Sequence, residues 1–350
     1  MAGLLLAMPV NVPAFAAETI RIGFSAPLTG TFAPLGSAMR DGAQVAASAK
    51  NAELTIEDDR CDAEGGKLAA ERLVKANVQI AGGFLCSESL EAALPILSAH
   101  NIPVIATGVS ARTLAERRAT SPYPVLRLAT GLDKEMAATA EILGKLWHDS
   151  AFAIIDDGTI EGRERANRLA SLLKERQLKP VFTDTYRPGL ENQNALVSRL
   201  RRAGATKVYV GGERDDVAAI AASAAALKYP LTIAGGSVLD AAGDKPLATD
   251  TLMIAPVEAR RLATSQAELD QVKQADNVAT NYALQGYATV EIAAAAITAA
   301  GESGKPLVDI LRARSFETVL GNISFDEQGM RRDNPNRLHL FDGNAFNPAR

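Results

Sequence analysis

Residues 61–110 read CDAEGGKLAAERLVKANVQIAGGFLCSESLEAALPILSAHNIPVIATGVS. Glu64 to Asn77 has apolar residues at Leu68, Leu73 and Val74, the spacing of one helix face. Val78 to Leu85 is a short apolar run with two glycines, a buried strand. Ser87 opens a second helix that runs to His100, and Val104 to Ala106 is the next strand. Strand, helix and strand in succession require a parallel sheet with right-handed crossovers. Each strand ends in a small hydroxylated turn, Cys86-Ser87-Glu88-Ser89 and Thr107-Gly108-Val109-Ser110. In such sheets ligands sit beyond the carboxyl ends of the strands. Ser87 is expected to cap its helix, and the free N–H groups of the first turn suit an anion. Ser110 adds a hydroxyl donor, so this edge is read as half of a site for a small anionic group such as a carboxylate.

The same alternation extends on both sides. Thr19 to Ser25 is a β-branched strand, Pro27 to Gly36 a turn-rich loop, Ser37 to Lys50 an Ala-rich helix and Glu53 to Glu57 a strand. A second α/β unit runs from Phe152 to Ala234. Its strands end in Asp156-Asp157, in Gly211-Gly212-Glu213 and in Gly235-Gly236-Ser237. Acids gathered at one sheet edge suit an ammonium group, so carboxylate and ammonium sites on facing lobes would hold a zwitterion. Ala267 to Glu302 is expected to be largely helical, with strands near Asn322–Phe325 and Leu338–Phe341. The late segments are too many for one sheet, and some must return to the first unit. With 350 residues, two domains are expected. The reading is 18–130 plus 256–325 for the first lobe and 131–255 plus 326–350 for the second. Several short crossovers would join them, the arrangement for hinge closure over a ligand.

A net charge of −4 shows no nucleic-acid footprint. Residues 1–17 carry an apolar run and a small-x-small pattern at Ala14-Phe15-Ala16, read as a secretory signal, with no basic residue ahead of it. Two cysteines in an exported chain suggest one disulfide, with two free thiols as the alternative. No metal is expected: the cysteines are too few for zinc, and His100, His148 and His339 lack ligand spacing. No nucleophile elbow, P-loop, zincin helix or dinucleotide fingerprint is present, so neither catalysis nor a cofactor is expected.

The runs IRIGFSAPLTGTFAPLG, IEDDRCDAEGGKLAAERLV, IAGGFLCSES and IPVIATGVS resemble the branched-chain amino-acid (Leu/Ile/Val) group of type I periplasmic binding proteins, the receptors of ABC importers. The resemblance extends to LATGLD, KVYVGG and GNISFDEQG. It implies two Rossmann-like lobes with parallel sheets and a multi-stranded hinge, a Cys61–Cys86 disulfide, and an amino acid or related ligand delivered to an inner-membrane permease by a periplasmic monomer. Ser87, Ser110 and the backbone around Val109 would hold the ligand carboxylate, and Leu35 in the first loop would make an apolar contact. The second lobe departs from the family: Glu161 and Glu213 stand where aromatics are usual, and Ser237 where an acid meets the ammonium. The acid would then have moved to Glu161 or Glu213. A periplasmic sensor for a signalling partner is the alternative function.

Overall fold

The computed structural model describes residues 19–109, 125–241, 243–274 and 276–349; the expected signal segment and Ser110 lie outside them. The first sheet contains β1 (Arg21–Ala26), β2 (Glu53–Asp58), β3 (Ile80–Gly83), β4 (Val104–Ala106) and β5 (Val125–Arg127). Its order is β2-β1-β3-β4-β5, and every pairing is parallel. Helices α1 (Ala33–Ala49), α2 (Ala63–Lys75) and α3 (Ser87–Ala99) cover it. Alternation along β1 divides the packing. Ile22 and Phe24 enter the cluster beneath α1, while Gly23 leaves room for Leu73 of α2 on the other face.

The second sheet follows α4 (Leu132–Leu146). It has β6 (Phe152–Asp156), α5 (Ile160–Glu175), β7 (Phe182–Thr185), α6 (Asn194–Arg202), β8 (Lys207–Gly211), α7 (Arg214–Ala226), β9 (Thr232–Gly235) and β10 (Leu252–Pro256). Strands β6 to β10 are parallel. The chain's last strands, β13 (Asn336–Phe341) and β14 (Phe346–Pro348), add to this sheet antiparallel. An alternation pattern carries no sign of strand direction for a late hairpin, so this mixed edge is a finding of the structure.

Between β10 and β13 the chain returns to the first lobe through α8 (Ala259–Leu262), α9 (Gln266–Val272), α10 (Asn277–Ser303), α11 (Leu307–Ala313) and the hairpin of β11 (Ser315–Thr318) with β12 (Gly321–Ser324). The helix expected over 267–302 is thus two. Asp276 interrupts it by capping α10, its side chain accepting from the Ala279 N–H at 2.8 Å. Helix α10 lies against α1 with the two backbones in contact. A methyl group on Gly42 would overlap the Ala283 carbonyl, and one on Gly286 the Met39 carbonyl. Buried Glu291 of α10 accepts the Val319 N–H at 2.6 Å and pairs with Lys50 at 3.6 Å. One long helix therefore clamps both ends of the first lobe.

Three crossovers result, and they bond side by side. The Arg127 N–H donates to Gly329 at 2.8 Å, and the Val257 N–H donates to Pro335 at 3.0 Å. Asn334 Nδ2 donates to the Lys134 carbonyl at 2.7 Å. Gly42→Ala must separate α1 from α10 and is expected to cost about 1–3 kcal/mol of stability by overpacking; urea unfolding against the wild type measures it.

Candidate functional site

The carboxyl edge of the first sheet is shaped by two successive left-handed residues, Gly83 (φ +99) and Phe84 (φ +61). A side chain on Gly83 would overlap the Ser25 carbonyl, so glycine is required there. The turn is pinned to both neighbouring strands. Phe84 N–H donates to Ser25 at 2.6 Å, and the Gly83 and Phe84 carbonyls accept from Thr107 at 2.7 Å and Gly108 at 3.1 Å. The Thr107 hydroxyl meets that of Thr289 on α10 at 2.8 Å. The redirected chain enters α3 with Cys86, not Ser87, as N-cap and with no side-chain cap. Ser87 is the first helical residue. Its hydroxyl, half-buried, makes no hydrogen bond among the described residues. The first intrahelical bond is that of the Leu90 N–H, so the N–H groups of Ser87 to Ser89 have no helix partner.

Beneath this start lies Asp59, completely buried. It accepts from the Ser25 hydroxyl at 3.0 Å and from the Cys61 N–H at 3.0 Å. Burial raises its pKa against these bonds. Arg60 and Cys61 are left-handed, and Cys61 is bonded to Cys86 with a Cα–Cα distance of 5.2 Å. The bond closes a separation of 25 residues, which stabilises by about 3 kcal/mol in the chain-entropy model. Val109 is buried behind Gly108. Leu35 is half-buried in the first turn of α1 rather than in a loop. Pro34 at the helix start is pre-set for a helical φ and begins α1 four residues ahead of expectation.

On the second lobe Glu161 sits in the first turn of α5, exposed, and pairs with Arg165 at 3.0 Å. Arg165 also binds Glu135, in the first turn of α4. Burial raises the pKa of Glu135, and the Arg165 charge opposes this. The pair lies against Gly236, where an added Cβ would stand 2.6 Å from Glu135 Oε1. Glu161 is thus the outer member of a Glu–Arg–Glu chain and carries a partner already. Only its i, i+4 half was visible in the run EGRER. Glu213 is the exposed N-cap of α7 and makes no capping bond. Ser237 is exposed and opens the 3₁₀ turn Ser237–Asp240. The buried Tyr186 hydroxyl beside Gly212 has no hydrogen-bond partner among the described residues, and burial followed by the charge of Asp216 pushes its pKa up.

Two cavities connect these edges. One of about 220 Å³ is bounded by all three crossovers, through Thr130, Val257 and Arg331, and reaches Gly108 and Tyr282. The other, of about 470 Å³, reaches from Ser237 and Asp240 to Asn277 and Asn281, with His339 in its wall. The carboxyl edges of both sheets therefore open onto one hinge. Asp240 belongs with the acids read at the strand ends of the second lobe, whereas Asn277 and Asn281 had no sequence signal that placed them there, because they reach it only through the returning chain.

Residues 19–338 match a family model described as periplasmic binding protein. The chain belongs to that family. It is 26% identical over 332 residues to the leucine-, isoleucine-, valine-, threonine- and alanine-binding protein of Pseudomonas aeruginosa, covering 90% of this chain and 87% of that one. To the Leu/Ile/Val-binding protein of Escherichia coli it is 26% identical over 331 residues, covering 89% and 88%. Among solved structures, a putative branched-chain amino acid ABC transporter from Rhodospirillum rubrum superposes with a TM-score of 0.79 at 18% identity, covering 95% and 100%. A solute-binding protein of an ABC transporter from Rhodopseudomonas palustris, in complex with p-hydroxybenzoic acid, superposes at 0.66 with 16% identity, covering 95% and 96%. This periplasmic binding protein thus has the two-lobed α/β fold expected from its strand and helix alternation.

His339 gives a pH readout of the hinge. It is buried, and its Nδ1–H donates to the Arg337 carbonyl at 3.0 Å. Burial lowers its pKa below the usual 6.5. The unfolded chain then binds the proton more readily, so stability from this residue is complete above 6.5 and is lost as pH falls toward the lowered value. Melting curves between pH 7.5 and 5 are expected to fall less steeply for His339→Gln than for the wild type.

Proposed function

We propose that the chain is the periplasmic solute receptor of an ABC importer and clamps a carboxylate-bearing ligand, an amino acid or close derivative, between its lobes. The observation that carries this is the start of α3. Three helix N–H groups without helix partners and the Ser87 hydroxyl, without a hydrogen bond among the described residues, stand beside the Gly108 turn, and that turn opens on the cavity formed by the crossovers. Such a row of donors stabilises an anion, and a carboxylate satisfies it in the geometry of charge-assisted hydrogen bonds.

Ser110 would complete the cradle with the backbone at Val109, and Leu35 would supply an apolar wall. Across the hinge, Glu213 and the Glu161–Arg165 pair border the ligand, and Ser237 stands at the end of β9. The lobes divide at 18–130 plus 256–325 and 131–255 plus 326–350, a division supported by where the three crossovers bond. Delivery to an inner-membrane permease, rather than to a signalling partner, is supported by the relatives named as amino-acid-binding proteins and by structural neighbours titled as ABC transporters. Those amino acids and p-hydroxybenzoic acid share a carboxylate. Residues 1–17 would direct export and be removed, the Cys61–Cys86 bond would form after export, and the receptor would act as a monomer without a cofactor, metal or catalysis.

A ligand at about 100 times its Kd stabilises the folded receptor by about 2.7 kcal/mol, a shift that a thermal-melt panel of amino acids, amides and aromatic acids detects. The double variant Ser87→Ala, Ser110→Ala is expected to lose that shift. An unchanged shift removes the carboxylate assignment.

A further inference from the structure

We infer that the cavity beside Ser237 receives the side chain of the bound ligand, and that this side chain is neutral and hydrogen-bonding, an amide or a hydroxyl, rather than aliphatic. The inference rests on the amino-acid reading above and assigns its substrate class.

The argument starts from continuity. The 470 Å³ cavity shares Pro256, Val257, Ala259 and Gln285 with the 220 Å³ cavity that reaches Gly108. The crossover Pro256–Ala259 is therefore a common wall. A ligand anchored by its carboxylate at the α3 start and the Gly108 turn has its other end directed along this wall. The combined space lies within the range of small-molecule sites.

The lining decides what that end can be. The carboxamides of Asn277 and Gln285 make no hydrogen bond among the described residues. Asn281 uses only its oxygen, accepting the Arg260 N–H at 2.9 Å, so its NH₂ group remains a donor toward the cavity. Arg260 Nε is buried without a hydrogen-bond partner among the described residues. Opposite them stand the exposed Ser237 and Asp240. An aliphatic side chain would strip water from this set and return nothing.

Charge is close to balanced. Glu258 is held by Arg260 at 2.7 Å and by Arg261 at 2.9 Å. Asp240 adds a second carboxylate, so two acids face two guanidinium groups. Burial keeps the His339 imidazole toward its neutral form. A net-charged side chain finds no uncompensated partner charge here. A carboxamide or hydroxyl finds donors and acceptors together. Met253 and Phe346 supply the apolar part of the wall, against which intervening methylenes pack.

The lining also comes from both lobes, with Asn277 and Asn281 on α10 and Ser237 and Asp240 after β9. A side chain bridging them reports its identity directly to closure. A receptor built to hydrogen-bond its ligand rejects the analogue that lacks the group far more strongly than an apolar pocket rejects a shorter chain.

The test is isothermal calorimetry with L-glutamine, L-asparagine and L-leucine on the mature chain. At least one of the two amides is expected to bind about tenfold or more tighter than leucine. Asn277→Leu, at an exposed position whose carboxamide makes no hydrogen bond among the described residues, is expected to fold normally and to reduce that ratio about fivefold or more. Asn281→Leu is expected to reduce it further, and Asn277→Leu alone decides the matter if Asn281→Leu misfolds. Leucine binding as tightly as both amides overturns the side-chain assignment while leaving the amino-acid reading intact. No binding of any of the three overturns both.

Discussion

The backbone contact between α1 and α10 is the constraint on which the remaining architecture depends. Gly42 and Gly286 let two helices from opposite ends of the chain approach until each carbonyl occupies the other's missing side chain. Because α10 must lie in the first lobe, the chain has to leave the second sheet after β10 and re-enter it at β13. Two crossovers are thereby added to the one after β5. Three crossovers bonded side by side join the lobes, the arrangement that permits hinge closure over a ligand. The same helix carries Thr289 to the hydroxyl of Thr107, so the packing that creates the hinge also buttresses a strand end at the site.

The candidate site couples covalent, polar and conformational restraints at one turn. Asp59 draws Ser25 and Cys61 together in the interior, the disulfide ties that turn to Cys86, and left-handed Phe84 aims the chain into α3. These restraints leave donors at the α3 start without partners among the described residues. Binding groups held in place before the ligand arrives lose little entropy when it does. The second lobe is organised differently. Glu161 is engaged through Arg165 with Glu135, while Glu213 at the start of α7 makes no capping bond.

Much of this was legible in the sequence, and what was not has a physical pattern. Strands with apolar alternation and helices with one apolar face declare themselves over a few residues. Their Gly-rich ends mark the carboxyl edges, so the lobes and the first half-site could be read locally. Ser87 was found but given the wrong local role. Whether it caps α3 or begins it is decided by the positive φ of Phe84, which no side-chain rule signals. Leu35 was displaced from loop to helix because Pro34 initiates rather than interrupts. Glu161 was read as an acid free to meet an ammonium, but it pairs with Arg165, which tertiary packing also brings to Glu135. The strand at Leu338–Phe341 was expected, but its antiparallel direction, the partner strand β14 and the hinge cavity were not legible, because each exists only where the returning chain meets the second sheet.

Closure of two lobes on a carboxylate-bearing solute is the claim that joins fold and site. Small-angle X-ray scattering with and without the tightest ligand of the thermal panel tests it most directly. The account requires the radius of gyration to fall on saturation in the wild type and to stay constant in the Ser87→Ala, Ser110→Ala variant. A radius unchanged by a ligand that binds the wild type would contradict it.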